Sequence, residues 1–449
     1  MYDQFVRDFY FPLTQHIKGE KIAQYLKILR YNEHLPLEKL QKIQLAKLYH
    51  ILDVAYQNVP YYQAIFNQLG IKPENISSPQ DFAHLPLLNK KDIRENLSRL
   101  TNPNYSGKIY SGKTSGSTGI PLKFYITNEY SSWDWASRWR ARNWFGVQIG
   151  DPEVAIWGRP LHSTIHKVID ALKGRIRNTM LISGFEYSEE MLEKLSRQIQ
   201  RFNPCYFYGY SNSIYRLALY YKENNLPLPG RLKAIFVTAE TLFPQERKIV
   251  ESVFHVPVSN EYGCSEIGGF AYECPAGNWH VSLENVYLEF IENENGVREI
   301  VGTSLTNEYM PFIRYRIGDV GEWINGKCPC GCNLPLMKLH IGKATDIVVM
   351  KNGQTFSSEI FDYLNLALLD LNRQPFDQYQ IIQTKPAVFT VRYVKSPNFA
   401  ESDLALFRQL FEKTVQDNDL KIEFEPVAEI KPESTGKMRY FISDLKTMR

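Results

Sequence analysis

The sequence lacks several features that would each point to a particular class of protein. No apolar run approaches the roughly 18 residues of a membrane span, and the N-terminus has neither the apolar core nor the small-residue cleavage site of a signal peptide. The formal net charge is only +3, without a long basic run that would indicate a nucleic-acid or membrane surface. Six cysteines, three of them in CPCGC, are a poor disulfide framework and are typical of a reducing compartment. The sequence therefore predicts a cytoplasmic protein that has no membrane span and binds no nucleic acid.

The chain is too long for one hydrophobic core. Its 449 residues exceed the roughly 250 to 300 at which single cores stop growing, so at least two domains are expected. From about residue 37, apolar residues recur every three to four positions until Pro60, which indicates an N-terminal helical region. Beyond residue 100, apolar runs such as EVAIWG and AIFVTAE alternate with helical stretches such as MLEKLSRQIQRF and QERKIVESVF. This alternation predicts a layered α/β domain.

The pattern changes near residue 345. Two short apolar runs there flank the pair Asn352-Gly353, which favours a tight hairpin turn. The remaining sequence offers QYQIIQT, AVFTVRYV and KIEFEPV as strands and DLALFRQLFEKTV as a helix, enough for a small α+β domain. The predicted domains are therefore a large α/β domain at residues 1–345 and a small, mobile α+β domain at residues 346–449.

Two overlapping phosphate-loop patterns occur between residues 107 and 119. GKIYSGKT (107–114) matches the Walker A pattern, but polar residues precede it where a buried strand is required, and a strand follows where a helix is required. The second interpretation is a run in which small residues let successive backbone N–H groups face an anion while hydroxyls add hydrogen bonds: Thr114, Ser115, Gly116, Ser117, Thr118 and Gly119. Such a run suits a triphosphate, although an ordinary turn favours the same residues.

Five further segments follow this loop: VTAETLFPQER (237–247), EYGCSEIGG (261–269), YRIGD (315–319), GKATD (342–346) and IKPESTGKMR (430–439). Together with TSGSTGIPL they resemble the motifs of the adenylate-forming superfamily, which includes acyl-CoA ligases and nonribosomal-peptide adenylation domains. Six ordered motifs over roughly 325 residues are a specific signal, although each alone is weak. AYQNVPYYQAIF also resembles phenylacetate-CoA ligases and their CapK-type capsule-biosynthesis relatives, and HVSLENVYLEF and GKMRYFISDL resemble the CapK side.

This resemblance implies a nucleotide site that contacts adenine, ribose and phosphates. Its members would be the loop from Thr114 to Gly119 together with Ala239, Glu240, Tyr262, Gly263, Asp319 and Lys343. Three catalytic residues are also implied: Ser265 near phosphate, Glu266 on Mg²⁺, and Lys437, which would neutralise charge as the adenylate forms.

The hinge motif departs from the family pattern at two positions. Lys343 stands where the family has Arg, and Lys binds as a point charge without the planar fork of Arg. Thr345 stands where the family has the first of two Asp residues, which leaves Asp346 as the expected hinge between the domains.

The chemistry implied by the resemblance suits these residue types. A carboxylate attacks the α-phosphorus of ATP, pyrophosphate leaves, and catalysis consists mainly of positioning and charge stabilisation. ATP and Mg²⁺ are the implied cofactors, and the thiol of coenzyme A is the expected acyl acceptor. The alternatives are an amide-forming ligase that uses an amine, such as an amino sugar of a surface polysaccharide, a non-catalytic scaffold, and a Walker-type phosphotransferase, which would produce ADP.

Cysteine and histidine residues cluster in two segments, ECPAGNWH (273–280) and KCPCGC (327–332). They could supply four soft ligands in a tetrahedral array, for which zinc is the natural metal. The spacing is not the usual C-x2-C, so free buried thiols remain an alternative. Phenylacetate-CoA ligase-like proteins often carry Cys and His at these places, which implies a structural zinc site formed by Cys274, His280, Cys328 and Cys330, with Cys332 left over.

The resemblance also bears on the acid and on assembly. In relatives the acyl pocket draws on the segment FYGYSNS, so Tyr208, Gly209 and Tyr210 are the candidates for contact with the acid. Relatives are often dimers, which makes a homodimer an expectation here too. The identity of the acid does not follow from the sequence, because pocket residues come from separate loops.

Overall fold

The computed structural model describes most of the chain. The described residues are 2–76, 78–114, 122–157, 174–183, 189–292, 298–343, 347–351, 355–357, 361, 364, 367–368, 371, 373, 375–415, 420–430, 439 and 441–445. They form a large unit on an eleven-stranded sheet and a small unit on a four-stranded sheet. The predicted fold class, a layered α/β body with a small α+β unit, is confirmed. No helix among these residues combines the length and the hydropathy that a bilayer span requires.

The first hundred residues are mainly helical. They form α1 (Tyr2–Phe5), a π-helical turn (Val6–Tyr10), α2 (Phe11–Lys18), α3 (Ile22–Asn32), α4 (Leu37–Asn58), α5 (Pro60–Leu69), α6 (Pro79–Phe82) and α7 (Lys90–Asn96). Helix α2 ends because Gly19 adopts a φ of 69°, a left-handed conformation that costs glycine least. Helix α4 stops before Pro60, and Pro60 opens α5, where its missing N–H leaves no bond unmade.

A two-stranded hairpin follows these helices. Strand β1 (Ile109–Thr114) pairs antiparallel with β2 (Leu122–Thr127) over six residues of each strand. The residues of the Walker A pattern therefore lie mostly in an extended, paired strand and cannot wrap a phosphate, which excludes the Walker-type interpretation. Thr114 is the last residue of β1, and the rest of the predicted phosphate loop, Ser115 to Gly119, lies outside the described residues.

One mixed sheet forms the centre of the large unit. Its strands are β3 (Glu153–Trp157), β4 (Thr179–Ser183), β5 (Tyr206–Tyr210), β6 (Ala234–Thr238), β7 (Val258–Cys264), β8 (Gly268–Glu273), β9 (Trp279–Val281), β10 (Val286–Glu292), β11 (Arg298–Ser304), β12 (Tyr315–Ile324) and β13 (Leu336–Lys343). The order across the sheet is β10-β11-β12-β13-β9-β8-β7-β6-β5-β3-β4. Strands β3 to β7 pair in parallel and the remaining strands pair antiparallel. The turn after β7 therefore lies at the carboxyl edge of the parallel strands, where α/β sheets bind ligands.

Helices cover both faces of the parallel half. Helix α8 (Asn128–Asn143) and α3 pack on one face, against Tyr206, Tyr208 and Phe236. Helices α9 (Glu189–Phe202), α10 (Ser211–Glu223) and α11 (Pro244–Phe254) pack on the other face, against Phe207 and Ile235. Successive side chains of a strand point to opposite faces, so β5 and β6 contribute to both cores. A further core lies between α4, α5 and the antiparallel half.

The small unit has its own sheet and core. Strands β14 (Ile347–Val349) and β15 (Thr355–Ser357) pair antiparallel, as a hairpin requires, and the predicted turn residues Asn352 and Gly353 lie outside the described residues. The four-stranded sheet contains β16 (Phe376–Lys385), β17 (Val388–Lys395), β18 (Lys421–Pro426) and β19 (Phe441–Ser443), in the order β18-β17-β16-β19. Helix α12 (Ser402–Val415) packs on it through Phe407 and Phe411. All members of this core lie between Val348 and Phe441.

Candidate active site

The end of β7 carries two predicted nucleotide-binding residues, Tyr262 and Gly263, and Tyr262 contacts a third, Asp319 of β12. Gly263 lies at a bulge where an added Cβ would stand 2.2 Å from the carbonyl oxygen of Gly268, so only glycine fits. The hydroxyl of Tyr262 donates a hydrogen bond to Oδ2 of Asp319, 3.0 Å away. Burial, with the Asp319 carboxylate adding to it, holds the pKa of Tyr262 well above its usual value. Tyr262 therefore stays a neutral donor that orients the Asp319 carboxylate.

Glu266 and Ser265 lie in the turn between β7 and β8, each beside a tyrosine hydroxyl. Glu266 is only 3% exposed, and Tyr315 donates a 2.7 Å hydrogen bond to its Oε1. Burial raises the pKa of Tyr315, and the charge of Glu266 raises it further, so this donor keeps its proton. Tyr130 of α8 donates to the backbone carbonyl of Ser265 at 3.2 Å. Sequence reasoning missed Tyr315 and Tyr130, although Tyr315 is the first residue of the segment YRIGD and could have been singled out there.

The adenine-side segment turns sharply after β6. Ala239 has a φ of 70°, an uncommon conformation for a residue with a Cβ. Oε2 of Glu240 accepts a hydrogen bond from the backbone N–H of Asn212 at 3.1 Å and another from Oγ of Ser211 at 3.4 Å. The Glu240 carboxylate therefore caps the start of α10, where a negative charge also favours the helix dipole. These hydrogen bonds also fix the loop that contains Ala239 and Glu240.

For the predicted residues of the hinge segment and the C-terminal segment, the structure gives only the backbone position of Lys343. Asp319 and Lys343 are backbone partners in the β12–β13 ladder, so the hinge segment begins directly beside Asp319. The side chain of Lys343, the hinge Asp346 and the catalytic candidate Lys437 lie outside the described residues. Their roles stay predictions.

The candidate acyl-pocket residues lie at the carboxyl end of β5, beneath α8. Tyr208 is 5% exposed, and its hydroxyl accepts a 2.9 Å hydrogen bond from Nη1 of Arg138. Arg138 also binds Glu261 at 2.8 Å and Asp134 at 3.1 Å, which fixes its guanidinium in a buried ion-pair network. Sequence reasoning missed this network, although Asp134 and Arg138 stand four residues apart on one helix, a spacing typical of ion pairs.

Two aromatic side chains extend the same face of the sheet. The ring of Tyr210, which is half-buried, lies edge-to-face 5.2 Å from the ring of Trp157 on β3, and Trp157 also contacts the Tyr208 ring at 5.0 Å. Gly209 allows the strands to approach, because a Cβ there would stand 2.3 Å from the carbonyl oxygen of Ile156. The rings of Tyr210 and Trp157 therefore form a continuous aromatic surface, and the buried ring of Tyr208 supports it through its contact with Trp157.

The cysteine and histidine residues of the two segments meet as the sequence predicts for a metal site. The ligand atoms of Cys274, His280, Cys328 and Cys330 all lie within 4.8 Å of one another. Sγ of Cys274 is 3.5 Å from Sγ of Cys328, and Sγ of Cys330 is 3.3 Å from Nε2 of His280. A tetrahedral zinc with bonds of about 2.3 Å to sulfur separates its ligands by roughly 3.8 Å, so the four residues fit this metal.

The surroundings of the cluster favour metal binding as well. Nδ1 of His280 lies 3.0 Å from the carbonyl oxygen of Leu334, a contact that places the proton on Nδ1 and directs the lone pair of Nε2 toward the cysteines. Burial lowers the pKa of His280, which keeps the ring neutral as a ligand must be. Cys332 is not part of the cluster and is buried in the core beside α4 and α5. The bound zinc itself stays a prediction.

Comparison with known proteins agrees with this architecture. A family model described as the CapK C-terminal domain matches residues 370–444. Protein CapK of Staphylococcus aureus is 25% identical over 431 residues, which cover 94% of this chain and 92% of that protein. A phenylacetate-coenzyme A ligase of Thermus thermophilus is 23% identical over 415 residues, 86% of each chain. A crystal structure of 2-hydroxyisobutyryl-CoA ligase in the postadenylation state superposes with a TM-score of 0.73 at 19% identity, covering 92% of this chain and 91% of that one.

These relatives and the shared fold support the adenylate-forming superfamily and its AMP-forming ligases, which confirms the class predicted from the six motifs. Within that superfamily the comparisons support the branch of CapK-type proteins and phenylacetate-CoA ligases, to which the chain is similar over most of its length.

Proposed function

We propose that the protein uses ATP to convert a carboxylic acid into an acyl-adenylate with release of pyrophosphate, and then transfers the acyl group to the thiol of coenzyme A. One observation carries the first half of this proposal: Tyr262 with Asp319, and Glu266 with Tyr315, meet at the carboxyl edge of the parallel strands. This edge is where α/β sheets bind nucleotides. The pairs supply a hydrogen-bond acceptor for ribose hydroxyls and a carboxylate suited to a hard divalent cation.

The residues would divide the work of adenylation. Asp319, oriented by Tyr262, would hold the ribose, and the loop from Thr114 to Gly119 would bind the pyrophosphate that leaves. Glu266 would hold Mg²⁺, which when bound neutralises charge on the phosphates. Lys437 would stabilise the charge that develops at the α-phosphate, and its position on the small unit would let it enter and leave as that unit moves.

Coenzyme A is the first candidate acceptor, because the phenylacetate-CoA ligase relative extends over most of the chain. An amine is the second candidate, and one feature favours it. The cleft between the large and small units is lined in part by Glu240 and Asp377, and by Glu246, whose raised pKa keeps it protonated near neutral pH. None of its twelve described lining residues is Lys, Arg or His. Carboxylates attract an ammonium group and repel the phosphates of coenzyme A. An amino sugar of a surface polysaccharide would suit this cleft.

The test has two stages. Acid-dependent exchange of pyrophosphate into ATP, measured over aromatic, aliphatic, hydroxy and sugar acids, reports adenylation without any acceptor. With an active acid, AMP release is then compared with coenzyme A and with a set of amino sugars. AMP release with an amine and none with coenzyme A overturns the proposal of a thiol acceptor. Absence of pyrophosphate exchange with every acid favours a non-catalytic scaffold.

A further inference from the structure

The ion-pair network of Arg138 has one side without hydrogen-bond partners. Nε of Arg138 donates to Oδ2 of Asp134 at 3.1 Å. Its Nη1 donates to Oε2 of Glu261 at 2.8 Å and to the hydroxyl of Tyr208 at 2.9 Å. Nη2 carries two further N–H groups, and no described residue accepts a hydrogen bond from them. Donors inside proteins are nearly always paired, so this side of the guanidinium suits an acceptor that comes from a ligand or from water.

Exposure differs between the members of this network. The side chains of Arg138 and Asp134 are 18% and 15% exposed, whereas those of Glu261 and Arg142 are each 1% exposed. The ring of Trp135, a residue that is 38% exposed, has its centroid 5.8 Å from Cζ of Arg138. The network is therefore closed at Glu261 and Arg142 and open at Arg138, where a small molecule can reach it.

Tyr208 offers a second donor beside Arg138. Its hydroxyl accepts the hydrogen bond from Nη1, but no described residue accepts the hydrogen of that hydroxyl. Burial raises the pKa of Tyr208, so the hydroxyl keeps its hydrogen at neutral pH. Because Nη1 and Nη2 belong to one planar guanidinium, the Tyr208 hydroxyl and Nη2 are close neighbours, and a single acceptor atom can bind both.

These two donors lie between two parts of the candidate site. On one side, the ring of Tyr208 contacts Trp157 of the aromatic surface. On the other side, Nη2 of Arg138 lies beside β8, because a Cβ on Gly269 would stand 3.0 Å from it. Gly269 follows Glu266 of the β7–β8 turn by three residues. An acid whose carboxylate reacts beside this turn therefore has its acyl part within reach of both donors.

The charges of the network indicate which kind of acceptor it takes. Two cations, Arg138 and Arg142, are paired with two anions, Asp134 and Glu261, so the group as a whole is balanced. A second carboxylate on the acid would be repelled by Asp134 and Glu261 and would lose its hydration. An ammonium group would only add donors to a site that already has unpaired donors. A neutral oxygen, as in a hydroxyl, ether or carbonyl group, can accept from both donors without adding a charge.

We propose that Arg138 and Tyr208 determine the specificity of the protein for its acid, and that they select an acid with a neutral oxygen acceptor in its acyl part. This inference rests on the proposed activation of an acid and narrows the class of that acid. A hydrocarbon acid of the same shape would cover both donors and leave them unpaired, which is the costly case for a buried polar group. Sites that bind an oxygen atom discriminate strongly against analogues that lack it, whereas a purely apolar pocket discriminates weakly.

Sets of acids with matched shape test this selection. Acid-dependent pyrophosphate exchange is measured with phenylacetate, mandelate and 4-hydroxyphenylacetate, and with hexanoate, 6-hydroxyhexanoate and adipate. In at least one set we expect kcat/KM for a hydroxylated acid to exceed that for its hydrocarbon parent by about tenfold or more. Adipate, which has a second carboxylate in place of the hydroxyl, is expected to be a poorer substrate than 6-hydroxyhexanoate.

Two conservative variants separate specificity from structural damage. Tyr208→Phe keeps the aromatic ring and loses the hydroxyl, and Arg138→Lys keeps a positive charge and loses the planar fork. Each variant is expected to reduce the preference for the hydroxylated acid by about fivefold or more, even where the overall rate also falls. A network that only stabilises the fold would lower the rates with both members of a pair equally and leave the preference unchanged.

A matched substitution elsewhere controls each variant. Tyr221→Phe removes another buried hydroxyl that has no partner among the described residues, in the core on the opposite face of the sheet. Arg247→Lys changes another partly buried arginine, which pairs with Glu273 and binds the carbonyl of Val258 at the start of β7. Both controls are expected to keep the wild-type preference, and circular dichroism verifies that every variant is folded.

The outcomes distinguish this selection from the proposed activation itself. A wild type that prefers the hydrocarbon acid in every comparison overturns the selection, as do Tyr208→Phe and Arg138→Lys variants that both keep the wild-type preference, the result expected if only water binds the two donors. Absence of exchange with every acid overturns the activation instead, and calorimetry then decides about the pocket. In the presence of α,β-methylene-ATP, which cannot release pyrophosphate, tighter binding of a hydroxylated acid to the wild type than to Tyr208→Phe supports the selection. Equal binding, or no binding of any acid, overturns it.

Discussion

Tyr262 of β7 and Asp319 of β12 are joined by a hydrogen bond of 3.0 Å although three strands lie between β7 and β12 in the sheet. In a flat sheet, four steps of about 4.8 Å would separate these strands by roughly 19 Å, too far for two side chains to meet. The antiparallel half must therefore curl toward the parallel half. This curl brings the EYGCSEIGG and YRIGD segments together and creates the candidate nucleotide site.

Removal of the Tyr262 hydroxyl tests this contact. Tyr262→Phe is expected to raise the KM for ATP by about three- to tenfold with little change in kcat, because it loses one hydrogen bond to a charged group while the aromatic ring remains. Tyr272→Phe is the matched control, since the buried hydroxyl of Tyr272 has no hydrogen-bond partner among the described residues. Pyrophosphate exchange at varied ATP concentration gives both constants. Equal KM values for Tyr262→Phe and the wild type would contradict the assignment.

Tyr315→Phe addresses the support of Glu266. The variant leaves a buried carboxylate without its 2.7 Å donor, so the free energy of unfolding is expected to fall by about 1–3 kcal/mol. If Glu266 holds Mg²⁺, the concentration of Mg²⁺ for half-maximal exchange is expected to rise by roughly tenfold, as for other residues that orient metal ligands. Urea unfolding and a Mg²⁺ titration separate the two effects. Lower stability with unchanged Mg²⁺ dependence would make Glu266 a structural residue only.

The cysteine cluster predicts one zinc ion per chain. Metal analysis of protein purified without chelators is expected to find one equivalent in the wild type and in Cys332→Ser, and none in Cys274→Ser. A saturated set of three cysteines and one histidine leaves no open position for water, so strong chelators are expected to lower thermal stability and not to stop chemistry directly. A negligible zinc content in both the wild type and Cys274→Ser would contradict the zinc site.

Glu246 makes stability depend on pH. Burial at the cleft, opposed in part by the backbone N–H of Phe243 and increased by the nearby charge of Glu240, raises its pKa from 4.5 to about 8. Between these values the folded protein holds a proton that the unfolded chain has released, so the free energy of unfolding falls as pH rises through this window. Glu246→Gln keeps an acceptor for Phe243 and removes the titration.

The stability of Glu246→Gln relative to the wild type is therefore expected to increase from pH 5 to pH 8, by on the order of 1–3 kcal/mol after a discount for partial exposure. Thermal melts in buffers of matched ionic strength measure this difference. A difference that stays flat across the window would show that the Glu246 carboxyl is not held protonated.

Much of the fold and part of the site could be predicted from the sequence. Strands and helices with a strong pattern, such as β6 and α11, follow directly from apolar periodicity, and the ordered motifs indicate which segments meet. The hydroxyls of Tyr315 and Tyr130 could not be assigned in this way, because their partners depend on how the sheet curls and on where α8 crosses it. Residues 2–18 have the period of an ordinary amphipathic helix, yet Phe5 and Phe9 are exposed, and the side that packs on the protein is identified only by the contacts of residues such as Asp3, Val6 and Arg7.

The central claim is that this chain activates an acid with ATP by means of a lysine on its small unit. Its most direct test is acid-dependent exchange of labelled pyrophosphate into ATP by the wild type and by Lys437→Ala, with nucleotide products resolved. We expect exchange with at least one acid, AMP as the only nucleotide product, and a loss of exchange of about a hundredfold or more in Lys437→Ala while ATP still binds. Formation of ADP, or exchange by Lys437→Ala at the wild-type rate, would contradict it.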